Sequence, residues 1–270
     1  MSEPPLDTIG EAFSRTAARY DAFAEDHAHL TRIRKKVYAH VQRVLPSPAR
    51  LLELNAGTGT DAVELARLGY SVHATDIAPG MLDRLREKAD RLQLHERISL
   101  EKRSFLSLTK VPGAPFEAVF SDLGGLNCVN DLRPVISQLP DVLQPGGVVT
   151  WVLMPPICLW EMGEMFRGNF RLAFRRLSRG GIRANLEGMS FPVYYFPPRQ
   201  VRDWFGKDYV LLGLEGLSVL TPTAESKNFA KRYPRLYGLL RWMDDRLSGH
   251  WPWHSWGDFY ILSLRYEPRK

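Results

Sequence analysis

Hydrophobic and polar positions in the first 155 residues alternate between two rhythms. Short apolar runs of strand length fall at residues 51–54, 70–76, 98–103, 116–122 and 143–149, and stretches with helical spacing separate them. Strands alternating with helices over short connections predict an α/β architecture with a doubly wound parallel sheet. The first helix after a strand carries Asp61 and Glu64 at capping-box spacing, with Gly69 as its terminator. Pro79 suits the first turn of the second. Beyond Met154-Pro155-Pro156 the rhythm changes. Residues 157–192 form a long excursion before Phe196-Pro197-Pro198-Arg199 opens another helix. Strand candidates follow at 209–217 and 258–265, with a helical stretch, 223–250, between them.

The densest chemical signal is Leu51-Leu52-Glu53-Leu54-Asn55-Ala56-Gly57-Thr58-Gly59-Thr60-Asp61, where a strand ends in a carboxylate and a small-residue turn. The next strand ends on a second acid, Asp76. Glycines let a backbone approach a ligand, and an acid at that place suits the two hydroxyls of a ribose. Gly57-x-Gly59-x-x-Ala62, with Asp76 nineteen residues after Gly57, also matches a dinucleotide fingerprint. Glu53 separates the alternatives. A carboxylate beside the turn repels a pyrophosphate and attracts a sulfonium and an ammonium.

The segment resembles motif I of the class I S-adenosylmethionine (SAM) methyltransferases, with Asn55 and Ala56 at the start of the turn. The resemblance continues in order along the chain. Ile77-Ala78-Pro79-Gly80-Met81-Leu82 looks like the segment after strand two, whose apolar residue packs on adenine. Ser104-Phe105 follows strand three at a position where the family commonly has an acid to meet the adenine amino group. Phe116 to Asp122 resembles strand four, and Leu143-Gln144-Pro145-Gly146-Gly147 the approach to strand five. Tyr20-Asp21, preceded by Phe13 and Ala17, resembles the N-terminal helix that folds over SAM. The resemblance implies a Rossmann-like, seven-stranded sheet, mostly parallel with an antiparallel last strand. It implies SAM as cofactor, held by Tyr20, Glu53, Asn55, Gly57, Gly59, Asp76, Ile77, Met81, Ser104, Phe105 and Ser121. Asn127, just past strand four, stands where the family places the acceptor. Its amide could orient a hydroxyl, or it could cap a helix. His27, with His29, Tyr20, Glu161 and Tyr194, is a weaker candidate for base or orienting group, and His27 is taken with Asn127 as the catalytic pair. The expected organisation is an N-terminal helical cap at 1–46, a SAM-binding core at 47–155, an inserted basic and aromatic lid at 156–195, and the remaining strands with a helical acceptor-side insertion at 196–270.

Composition narrows the acceptor. The excursion places Phe166, Phe170, Phe174 and Leu177 at helical spacing, with six arginines between Arg167 and Arg183. That pattern fits a structural cover with a solvated basic face, or a lid for an anionic or amphipathic acceptor or an anionic membrane surface. Aromatic residues from Tyr233 to Trp256 are expected mainly in the core. Seven tryptophans and thirteen phenylalanines favour a bulky apolar acceptor. A net charge of +6 over 270 residues is modest. The turn after the fourth strand, Ser121-Asp122-Leu123-Gly124, lacks the Pro-Pro-aromatic pattern that holds a flipped base, which weighs against nucleic acid. Pro252 interrupts the His250 and His254 pair, so no metal site is expected. Cys128 and Cys158 sit in apolar runs and predict buried thiols in a reducing compartment. The N-terminus is polar and no apolar stretch reaches the ~18 residues of a membrane span, so a cytoplasmic protein is expected. These readings converge on SAM-dependent methyl transfer to a small-molecule or lipid-like acceptor at oxygen or nitrogen. The alternative is a protein that binds SAM without turnover.

Overall fold

The structure is a computed structural model that describes residues 6–24, 27–178, 180–186 and 188–269. Two N-terminal helices, α1 (Leu6–Ala24) and α2 (Ala28–Val44), precede the sheet. The strands are β1 (Arg50–Leu54), β2 (Ser71–Asp76), β3 (Ile98–Lys102), β4 (Phe116–Ser121), β5 (Leu143–Leu153), the short pair β6 (Ile182–Leu186) and β7 (Met189–Val193), then β8 (Tyr209–Leu217) and β9 (Phe259–Tyr266). The order β3-β2-β1-β4-β5-β9-β8 makes one seven-stranded sheet. Strands β1 to β5 are parallel, and β9 runs antiparallel between β5 and β8, as expected.

The strands are apolar on both sides because both sides are covered. Leu51, Val72, Ala118, Phe120 and Val152 pack with α2 and with helices α3 (Thr60–Arg67) and α4 (Pro79–Arg91). Their neighbours Leu52, Leu54, Val119, Trp151 and Leu153 face a second cluster that includes the helix Pro198–Phe205. Successive strand side chains point to opposite faces, so this alternation assigns each residue its layer.

Two local expectations are corrected. The capping box at Asp61 and Glu64 does not form. Gly59 sits at the N-terminus of α3 with a left-handed φ of 78° and no side-chain cap, while Asp61 is drawn inward to Arg34 and Tyr38. Gly69 does end this segment, at φ 97°. The excursion is not one amphipathic helix. It breaks into single turns at Leu159–Met162, Gly163–Arg167, Phe170–Ala173 and Arg175–Leu177, then forms the hairpin β6–β7. Gly168, at φ 78°, ends one turn, and the Asn169 side chain caps the next by accepting from the Leu172 amide. Phe166 and Phe170 are consequently 87% and 60% exposed rather than buried along a common stripe.

Candidate functional site

The C-terminal ends of β1, β2 and β4 open into a cleft of about 280 Å³, the crevice where open parallel sheets bind ligands. Its floor is the turn after β1. Asn55 adopts φ 57°, a left-handed conformation that asparagine tolerates, and Gly57 follows at φ 55°. Asp76 at the end of β2 accepts from the amide of Gly57 at 2.8 Å and from that of Ala78 at 2.8 Å, locking the turn against the second strand. Gly59 serves packing. A Cβ there would lie 2.2 Å from Leu85 Cγ, so only glycine lets α4 approach the turn. Helix α1 closes one side. Its Asp21 accepts from Thr58 Oγ1 at 2.6 Å and pairs with Lys88 of α4 at 2.7 Å, and Phe13 meets Phe191 of β7 with ring centroids 5.7 Å apart.

Of the residues expected to hold a cofactor, Asn55, Gly57, Asp76, Ile77, Met81 and Phe105 line this cleft together. Glu53 and Ser121 are buried at the ends of β1 and β4, outside the lining. Ser104, expected at the adenine, lies outside the cleft lining, and its hydroxyl accepts from the Leu106 amide at 3.1 Å within its own turn. The side chain of Tyr20 lies outside the described residues. Sequence reasoning missed Arg34, which reaches the cleft from α2 and bonds Asp61 through Nε at 3.1 Å, and Tyr38, which donates to the same carboxylate at 2.6 Å. It also missed Asp122, Met154 and Val193 in the lining. Only Asp122 had a signal, its place at a strand end.

The electrostatics of the floor are lopsided. Glu53, Asp61 and Asp122 gather around Arg34, and Asp76 adds a further negative charge near Glu53. Burial, reinforced by the charges of Asp61, Asp122 and Asp76, pushes the Glu53 carboxyl well above the usual carboxylate range. Burial and Asp61 do the same to Asp122. Asp76 is also raised by burial, against the opposing pull of its backbone donors. Glu53 Oε2, Asn55 Nδ2, Ser121 Oγ and Asp122 Oδ2 are buried without a hydrogen-bond partner. Unpartnered buried polar atoms are costly and rare, and here they gather at one strand end. Acceptor atoms beside a cleft in excess of cations suit the sulfonium and ammonium of SAM, and Asp76 suits its ribose.

The two catalytic candidates, Asn127 and His27, are both bonded to the chain itself and lie outside the cleft lining. Asn127 is fully buried; its amide donates to Tyr194 O at 2.6 Å and Met154 O at 3.3 Å, and its Oδ1 accepts from Met154 N at 3.1 Å. With those groups engaged it ties β4, β5 and β7 together and does not line the cleft. His27 caps α2 by accepting from Leu30 N and bonds Ala224 O at 2.8 Å, fully buried.

The basic excursion also differs from expectation. Arg175 and Arg176 are paired within the chain. Both bond the buried Glu161, and Arg176 bridges to Asp258 at 2.7 Å. Cys158, Glu161 and Asp258 stand close enough to hold a cation, and the Arg176 guanidinium is the cation that bonds the two carboxylates. Burial pushes the thiol of Cys158 up to about 12 and that of Cys128, in the cleft wall, up to about 11.

A family model described as a methyltransferase domain matches residues 51–147. The malonyl-[acyl-carrier protein] O-methyltransferase of Halorhodospira halophila is 30% identical over 207 residues, 72% of this chain and 68% of that protein. The tRNA 5-carboxymethoxyuridine methyltransferase of Escherichia coli is 27% identical over 98% of this chain and 97% of its own length. Among solved structures, the CcbJ methyltransferase of Streptomyces caelestis superposes with a TM-score of 0.64 at 18% identity, covering 96% of this chain and 98% of its own. The [4+2]-cyclase SpnF reaches the same TM-score at 15% identity, covering 100% of this chain and 99% of its own, so the fold alone does not name the reaction. Together, the matched domain, the relatives and the cleft establish that the chain belongs to the class I SAM-dependent methyltransferases, with SAM as its cofactor.

Proposed function

We propose that this enzyme methylates oxygen in a small-molecule or lipid-like acceptor that arrives already ionised, above all a carboxylate. The observation that carries this reading is the composition of the cleft wall. Ile9 and Phe13 of α1, Cys128, Met154 after β5, and Phe191 and Val193 of β7 form one apolar cluster lining it. Among the described residues no histidine lines the cleft, and its carboxylates sit at the start of α3 and at the ends of β2 and β4. A hydroxyl or ammonium acceptor needs a base to take its proton, whereas a carboxylate has none to lose. The named relatives agree in chemistry. A malonyl group and a carboxymethoxy group each offer a carboxylate.

When bound, SAM supplies a methyl group already activated on a sulfonium. The chain's own residues then bind, orient and exclude water. Asp76 accepts from the ribose hydroxyls, and Ile77, Met81 and Phe105 flank the adenine. Asp122 and the buried Glu53 would favour the cationic end, and Arg34, steadied by Asp61, would receive the carboxylate of the methionine moiety. The apolar wall holds the acceptor's carbon skeleton and keeps the reacting pair dry, so the aligned oxygen need only stand about 3 Å from the methyl carbon.

The test is methyl-label transfer from SAM into lipid, metabolite and tRNA extracts, followed by mild alkali. A methyl ester releases volatile methanol, and label that survives alkali overturns the carboxylate reading. Label confined to tRNA favours a second reading, motivated by the nearly full-length match to the E. coli enzyme.

A further inference from the structure

We propose that the helix Pro234–Leu247 is a docking surface for an anionic lipid bilayer. Its inner side is committed to the protein. Tyr237 is buried edge-on against His29 of α2 with ring centroids 5.0 Å apart, and Asp244 is buried, accepting from Leu220 N at 2.7 Å and Thr221 Oγ1 at 2.6 Å. Its outer side is apolar where a globular protein exposes polar residues. Leu236, Leu239 and Trp242 are 47%, 53% and 53% exposed, and Tyr233 just ahead of the helix is 44% exposed. The spacing of three residues places these side chains along one side of the helix.

Charge identifies the partner. Lys231, Arg232, Arg235, Arg241 and Arg246 are all exposed around this apolar side. The two acids of the helix are both engaged: Asp244 inside, and Asp245 with Arg32 at 2.6 Å. The Arg246 guanidinium stacks over the Trp242 ring, 3.9 Å from its centroid, so a positive charge and an aromatic face are presented together on this side of the helix. A basic rim around exposed leucines with tryptophan and tyrosine beside them is the arrangement that sits at an anionic membrane interface. A second copy of the chain fits poorly, because two such faces would bring like charges together. A nucleic acid would meet the arginines and gain nothing from the leucines.

This proposal is independent of the acceptor reading, since docking is measured without acceptor. Sedimentation with vesicles of mixed phosphatidylglycerol and phosphatidylcholine is expected to carry the full chain down at low salt. Pure phosphatidylcholine vesicles should carry much less, and binding should weaken as salt rises. Arg235→Gln and Arg246→Gln should each lower partitioning about fivefold. Leu236→Gln with Leu239→Gln should lower it at least about tenfold. SAM affinity and thermal midpoint should stay unchanged in all of these variants, which separates docking from folding. No binding to the anionic vesicles, or binding indifferent to both variant sets, overturns the proposal. So does a concentration-dependent dimer that the leucine variants abolish in the absence of vesicle binding.

Discussion

Two regions of this molecule bury carboxylates, and they treat them differently. In the excursion, Glu161 is matched by Arg175 and Arg176, and Asp258 by Arg176, at distances of 2.6 to 2.7 Å. In the cofactor cleft, Glu53, Asp61 and Asp122 share Arg34, and Glu53 Oε2 and Asp122 Oδ2 find no partner. The first arrangement is complete without a ligand and fastens the excursion to the start of β9. The second leaves buried polar atoms unpartnered beside the cleft. A buried acid with its partner is structural, whereas a buried acid without one marks a place kept for something that binds.

The comparison breaks most visibly at Arg176. Arg176→Met leaves Asp258 buried without its cation, and is expected to cost about 3–5 kcal/mol of stability by chemical denaturation, with SAM affinity of the folded protein intact. In the cleft the order inverts, with binding affected more than folding. Asp76→Ala removes the proposed ribose acceptor and should cost on the order of 1.5–3 kcal/mol of SAM affinity by calorimetry. Unchanged affinity would show that Asp76 only holds the turn through Gly57 and Ala78.

Glu53→Gln sharpens the contrast through pH. A carboxyl whose pKa is raised by folding stabilises the native state below its unfolded value, about 4.3, and that contribution disappears as pH rises through the folded value. The ligand-free enzyme should therefore lose thermal stability as pH climbs above about 5, while the stabilisation produced by SAM grows over the same window. Glu53→Gln should flatten both trends, by about 1.4 kcal/mol for each unit by which the carboxyl is raised. Thermal melts across pH, with and without SAM, would show parallel curves if this carboxyl were irrelevant. The smallest effect belongs to Arg171→Gln in the same excursion. That side chain is exposed, and its loss should change stability by less than about 0.5 kcal/mol in the denaturation that exposes Arg176→Met.

Much of this was readable before any coordinates. The alternation of strands and helices followed from apolar runs, a glycine turn and acids at strand ends, while the antiparallel last strand and the cleft residues Asn55, Gly57, Asp76, Ile77, Met81 and Phe105 followed from the family resemblance that those motifs carry. Those features are local because backbone conformation and strand alternation are set within a few residues. The acceptor side was not readable in the same way. Whether Phe166 is buried, whether Arg176 meets solvent or Glu161, and whether Asn127 faces a ligand or the backbone of Met154 and Tyr194 depend on partners far along the chain. Arg34 is the clearest case. As one of the basic residues of α2 it has no distinguishing spacing, and only the packing of α2 against α3 brings it to Asp61 and the cleft. The sequence by itself determined the cofactor fold, because that information lies in contiguous motifs. The tertiary structure alone decided which charges are paired, because pairing and burial are properties of the packed chain.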